Sequence, residues 1–163
     1  MLAEGLAPSS IEQAALQQGM PVGPLAVNDE VSLELGMHVR EQTKKDYAAE
    51  GKTYPSHPAD AIIDRMVGEF GRKGKAKGAG FYEYPEGGKK HLWAGLTEHF
   101  VKPEGKAPSD ATFADMKDRL LYIQSIETIR CVEEKVLNTV ADANIGSIMG
   151  IGAPPWTGGL LQY

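Results

Sequence analysis

A single cysteine, Cys131, stands among the 163 residues, and one thiol cannot close an internal disulfide. It lies in an apolar-periodic helical stretch, which predicts a buried, unreactive side chain. Apolar runs are short, and none approaches the roughly 20 residues that a membrane-spanning helix requires. Met1 to Gly5 offer neither the cationic nor the apolar segment of a signal peptide, so nothing here directs the chain to an oxidising compartment. Positive charge is in deficit, 17 Lys and Arg against 22 Asp and Glu, and the net charge of -5 argues against a general nucleic-acid or anionic-membrane surface.

A self-contained centre of chemistry is also missing. His38, His57, His91 and His99 fall on different segments without the spacing of a metal site. His38 precedes Glu41 by one helical turn, a spacing far commoner for a surface pair than for a catalytic dyad. No nucleophile elbow surrounds a serine, and Cys131 has no base nearby in sequence. Glu127, Arg130, Glu133 and Glu134 read as surface ion pairs on a long helix.

What the sequence does contain is helix, with 42% hydrophobic residues to supply the core of one ordinary domain or two small ones. Leu2 and Leu6, one turn apart and uncapped, read as the tail of a helix, as in a truncated domain. Ser9 and Glu12 predict a capping box for a helix that Gly19 ends. Pro24 opens a longer helix with a stripe of Leu25, Val31, Leu35 and Val39, stopped at Gly51. Pro58 opens a third, with Ile62, Met66 and Phe70 on one side up to Gly71. Phe81 to Tyr84, the turn at Pro85 to Gly88, and Lys89 to Trp93 predict a small β-hairpin. Pro103, Gly105 and Pro108 mark a linker. Thr112 and Asp115 then cap a helix of about seven turns through Met116, Leu120, Ile123, Ile129, Val132 and Val136, and a shorter helix from Asp142 carries Ile145, Ile148 and Met149. At each end of the chain a short helix leads into a Gly-Pro turn, at Gly19 to Leu25 and at Gly152 to Leu160, which points to a duplicated helical unit.

Between Arg72 and Gly80 lie four cations and three glycines, a loop composition. Amides and lysines together suit a phosphate, so Arg72, Lys73, Lys75 and Lys77 are the candidate substrate-binding residues; the competing reading is a solvated connector. The loop is neither a P-loop nor a dinucleotide fingerprint, because Gly78-Ala79-Gly80 precedes a hairpin and not a helix.

Three strings taken together resemble one family: Gly19-Met-Pro-Val-Gly-Pro-Leu25, Gly78-Ala-Gly-Phe-Tyr-Glu-Tyr84, and Asp142-Ala-Asn-Ile-Gly-Ser-Ile-Met-Gly-Ile-Gly-Ala-Pro-Pro-Trp-Thr-Gly-Gly159. They are similar to the C-terminal region of 3-hydroxyacyl-CoA dehydrogenases, and the last string to the second helical unit of multifunctional fatty-acid β-oxidation enzymes of the alpha-subunit type. The resemblance implies an all-α fold like the 6-phosphogluconate dehydrogenase C-terminal domain, with two duplicated helical units and a small hairpin between them. It divides the chain into a first unit at 1–84, a hairpin and linker at 85–110 and a second unit at 111–163.

The complete enzyme would use NAD to oxidise 3-hydroxyacyl-CoA, with its catalytic histidine, glutamate and dinucleotide loop in an upstream Rossmann domain. No catalytic, cofactor-binding or metal residue maps onto this chain, so no cofactor is expected in it and it is expected to be inactive alone. The implied partners are that Rossmann domain, acyl-CoA, a second copy in a homodimer and a thiolase subunit, with no nucleic acid and no membrane insertion. The implied compartment is the bacterial cytoplasm, or mitochondria or peroxisomes in a eukaryote. Two rival readings are a stand-alone protein-interaction module and an acyl-CoA-binding domain that uses the basic loop.

Overall fold

A computed structural model describes all 163 residues. The architecture is all-α with one two-stranded hairpin, as the sequence and the resemblance predict. The chain divides into two compact units, Met1–Ile11 with Pro24–Ala107, and Glu12–Gly23 with Pro108–Tyr163.

In the first unit a 3-10 turn at Leu2–Glu4 leads to α1 (Pro8–Gln17), whose residues from Glu12 onward belong to the second unit. Pro8 opens α1, so Ser9 lies inside the helix and is not its cap; proline's fixed φ and missing N–H suit a first helical position. The long helix expected from Pro24 is two helices, α2 (Pro24–Val31) and α3 (Leu33–Ala49). Ser32 separates them with a φ of 87°, and its hydroxyl accepts the Leu35 amide at 3.5 Å while donating to the Lys73 carbonyl at 3.2 Å. That break resets the helical phase. Leu25, Ala26, Asp29 and Leu33 face inward, and of the expected stripe Val31, Leu35 and Val39 are exposed.

α4 (Pro58–Asp64) begins on Pro58 with His57 as its cap and widens into one π-helical turn at Arg65–Glu69. This turn seats Met66 with no exposed surface. β1 (Tyr82–Glu83) pairs antiparallel with β2 (His91–Leu92), and α5 (Gly95–Phe100) follows.

The second unit consists of residues 12–23, α6 (Asp110–Glu133) and α7 (Val140–Ile151), with a 3-10 turn at Pro155–Thr157. Ser109 caps α6 by accepting the Thr112 amide at 3.2 Å, so the start precedes the expected Thr112 by one turn. Thr139 caps α7 in the same way through the Asp142 amide at 3.0 Å. A small core joins Leu121, Ala153 and Leu160 with Met20 against it.

Candidate functional site

In the first unit the buried polar groups converge on one turn. Asp29, only 1% exposed, accepts the Phe81 amide at 2.7 Å, the Tyr82 amide at 2.8 Å and the Tyr84 hydroxyl at 2.9 Å. A side chain at position 80 would collide with that carboxylate, which is why glycine is required there. Arg72, 8% exposed, donates to the carbonyls of Gly80 at 2.6 Å and Tyr82 at 3.0 Å and to Glu83 Oε1 at 2.9 Å. Its guanidinium lies 4.4 Å from the centre of the Trp93 ring. The Gly-Phe-Tyr string is therefore held through its amides by Asp29 and through its carbonyls by Arg72.

The structure places the four candidate cations differently from one another. Arg72 spends its donors inside the protein, as above. Lys73 reaches Glu34 at 2.7 Å, and Lys75 reaches both carboxylate oxygens of Glu30 at 2.7 and 2.9 Å. The Lys73 hydrogen bond, and then its charge, hold the Glu34 carboxyl below its ordinary pKa, with Lys77 contributing at longer range. Lys75–Lys77 forms a 3-10 turn closed at its base by the Gly74 amide on the Ala79 carbonyl at 2.7 Å. The loop thus presents Lys73, Lys75 and Lys77 at its surface and keeps Arg72 beneath.

Phe70, Trp93, His99 and Phe100 of this unit form a cluster: Phe70 lies 4.7 Å from His99 in a stack and 5.0 Å from Trp93, with Arg65 4.7 Å from the Phe100 ring centre. This cluster had no sequence signal, because Phe70 and His99 lie on separate helical segments.

In the second unit the long glycine- and proline-rich string folds back on itself. Asn144 Oδ1 accepts the Leu161 amide at 3.0 Å and the Gln162 amide at 3.1 Å, and the Ser147 hydroxyl accepts the Leu160 amide at 3.1 Å. The Trp156 indole donates to the Gln18 carbonyl, and Gln18 in turn donates to the Lys117 carbonyl at 2.8 Å. Beside α7 opens a cavity of about 380 Å³, with Gln124, Thr128, Cys131, Leu137, Gly146 and Ile151 on its wall. Cys131 is half-buried at that wall, more accessible than its apolar neighbours in sequence predict. Glu127 is the partner of Arg130 at 3.3 Å, the surface pair expected.

No three His, Cys, Asp or Glu side chains group as metal ligands, and no helix is long and apolar enough to cross a membrane. For a dinucleotide the residues present do not fit. Gly78-Ala79-Gly80 leads into a strand, and the space above Gly80 is taken by Asp29. In both units of this helical scaffold the buried polar side chains are spent on the protein's own turns.

The family model for the C-terminal domain of 3-hydroxyacyl-CoA dehydrogenase matches residues 1–84. The whole chain also aligns with the fatty acid oxidation complex subunit alpha of Shewanella loihica at 31% identity and of Shewanella putrefaciens at 32%. This chain therefore belongs to the 3-hydroxyacyl-CoA dehydrogenase C-terminal-domain family. Each alignment covers 100% of the chain and 22% of the relative, so the chain spans about a fifth of the length of the curated relatives it matches.

Proposed function

We propose that this chain is the substrate-side and dimerisation region of an NAD-dependent 3-hydroxyacyl-CoA dehydrogenase of bacterial fatty-acid β-oxidation, working with a Rossmann domain upstream in the same protein. The observation that carries this reading is the alignment of all 163 residues, hairpin and both Gly-Pro turns included, with fatty acid oxidation alpha subunits. NAD would bind the upstream domain, since nothing in this chain suits it. The sequence stretches 1–84 and 111–163 are read as copies of one helical design, supported by the order helix, Gly-Pro turn in each stretch.

Asp29 and Arg72 have a positioning role in this reading. They hold the hairpin in one shape, and a wall of an acyl-CoA cleft needs such rigidity more than it needs reactive groups. For the phosphates of acyl-CoA the candidate cations are Lys73, Lys75 and Lys77, with Arg72 fixing the loop beneath them. Two of those lysines are ion-paired with Glu34 and Glu30, so a phosphate has to displace a carboxylate, and binding should be weak and salt-sensitive. A thiolase subunit fits as a further partner of the complete complex, as the name of the relatives denotes a complex.

The test is to assay NADH formation from a 3-hydroxyacyl-CoA by the chain alone, by a separately produced nucleotide-binding domain of the same family, and by the two mixed. Turnover only in the mixture is the expected result. Turnover by the chain alone would overturn the assignment of the chemistry to another domain.

A further inference from the structure

The root of the basic loop is fastened to the junction between α2 and α3. The Lys73 carbonyl accepts the Leu33 amide at 3.0 Å as well as the Ser32 hydroxyl. Gly74 lies so close that a Cβ there would stand 2.9 Å from the Asp29 carbonyl oxygen and 3.1 Å from the Ser32 Cα. Its φ of 120° is one that glycine adopts and other residues avoid. The loop backbone is thus fixed at its base, whereas its ammonium groups are held differently. Glu30, near the end of α2, takes Lys75, and Glu34, in the first turn of α3, takes Lys73, one on each side of the Ser32 break. All four side chains are 36 to 51% exposed. Ion pairs so wetted shift an equilibrium by between about one- and fivefold each, and they exchange readily.

Two acids stationed on the cations of a candidate anion site compete with any anion that enters it. We propose that Glu30 and Glu34 reserve the loop for phosphate groups by excluding carboxylates. The inference rests on the reading of Lys73, Lys75 and Lys77 as phosphate-binding cations given above, and adds how that site chooses its anion. A free carboxylate that binds here replaces a carboxylate already present, charge for charge. The resident one is tethered, at an effective concentration of about millimolar or more, so the exchange gains nothing. A phosphate group brings nearly two charges and three acceptor oxygens, enough for one group to serve two ammoniums and displace the resident acids. Lys77, which acts on Glu34 through its charge and not through a hydrogen bond, is left to meet the incoming anion. Because the backbone contacts at Ser32, Leu33 and Gly74 do not involve these pairs, releasing them leaves the loop in place. An acyl-CoA carries phosphates and a free fatty acid only a carboxylate, so the two glutamates separate the activated acyl chain from the free acid.

NMR of the lysine side chains in the full chain, at fixed ionic strength, tests this with inorganic pyrophosphate and acetate as probes. In the unmodified chain pyrophosphate should shift Lys73 and Lys75 with a millimolar dissociation constant, while acetate at about 50 mM should move neither. In the Glu30→Gln, Glu34→Gln double variant pyrophosphate should bind about five- to tenfold more tightly, and acetate should now shift both lysines. Glu41→Gln takes the same charge from α3 about two turns beyond Glu34 and should change neither response. Should it act as strongly as Glu34→Gln, the effect is one of general charge and the inference fails. Circular dichroism checks that each variant is folded; if the double variant unfolds, the two single variants decide. Equal pyrophosphate affinity in the unmodified chain and the double variant, or an equal response to acetate, overturns the inference and leaves the phosphate reading of the loop standing. No response to pyrophosphate up to about 20 mM in either protein overturns both, because a site that needs more is too weak to matter.

Discussion

Asp29 and Arg72 share a task that neither could do alone, since one offers only acceptors and the other only donors. The Asp29 carboxylate is buried with three donors aimed at it. Asp29→Ala removes the acceptor that two amides and a phenol share, one of those amides fully buried. The expected cost is about 2 to 4 kcal/mol, read from the shift of the urea midpoint. Arg72→Lys keeps the charge and loses the fork on two carbonyls and the stack on Trp93, so it should destabilise by at least about 1 kcal/mol. Lys73 and Glu34 differ in kind, being an exposed pair. Their folded-state carboxyl pKa is depressed, so the stabilisation they give is present above the ordinary carboxylate range and is lost as pH falls through the folded value. A carboxyl NMR titration should find Glu34 ionising at lower pH than in the Lys73→Ala variant; equal midpoints would show that the pair does not form in solution.

Helix starts are where the elements can be probed most cleanly. Ser109 accepts the Thr112 amide and Thr139 accepts the Asp142 amide, so alanine at either site should cost about 1 kcal/mol by thermal or urea unfolding. Ser9→Ala should cost much less, because Ser9 follows Pro8 inside α1. Proline punctuation of the sequence located helix starts well, and Pro24 and Pro58 open helices as expected. What the sequence hid was phase. Counting from Leu25 through Val39 assumes one continuous helix, and the left-handed residue Ser32 breaks it, so the stripe that reads as core lies outside. Nor could a 3.6-residue pattern single out Asp29 as a core residue, because its partners lie 52 to 55 positions further on. The resemblance strings were legible as a family mark, while their structural work, capturing amides on Asp29, Asn144 and Ser147, became visible only with the coordinates.

At the scale of the whole molecule, 163 residues align with 22% of each relative, and Gly78-Ala79-Gly80 leads into a strand with Asp29 above Gly80 and not into a dinucleotide-binding helix. Titration with NADH should accordingly give no saturable change in nucleotide fluorescence up to millimolar concentration, whereas weak CoA binding, if it arises at the basic loop, should vanish in the Lys73→Ala, Lys75→Ala, Lys77→Ala triple variant and fall with salt. The Asp29 contacts have a consequence in time as well as in energy. Helices α2 and α4 are local and can flicker into existence within about a microsecond. The turn that Asp29 grips is more than fifty residues downstream, and closing so long a loop before any contact repays it is slow. The clasp should therefore be among the last features to set and the first to let go. Asp29→Ala would then accelerate unfolding far more than it retards folding, making this carboxylate a determinant of how long the folded hairpin survives between openings.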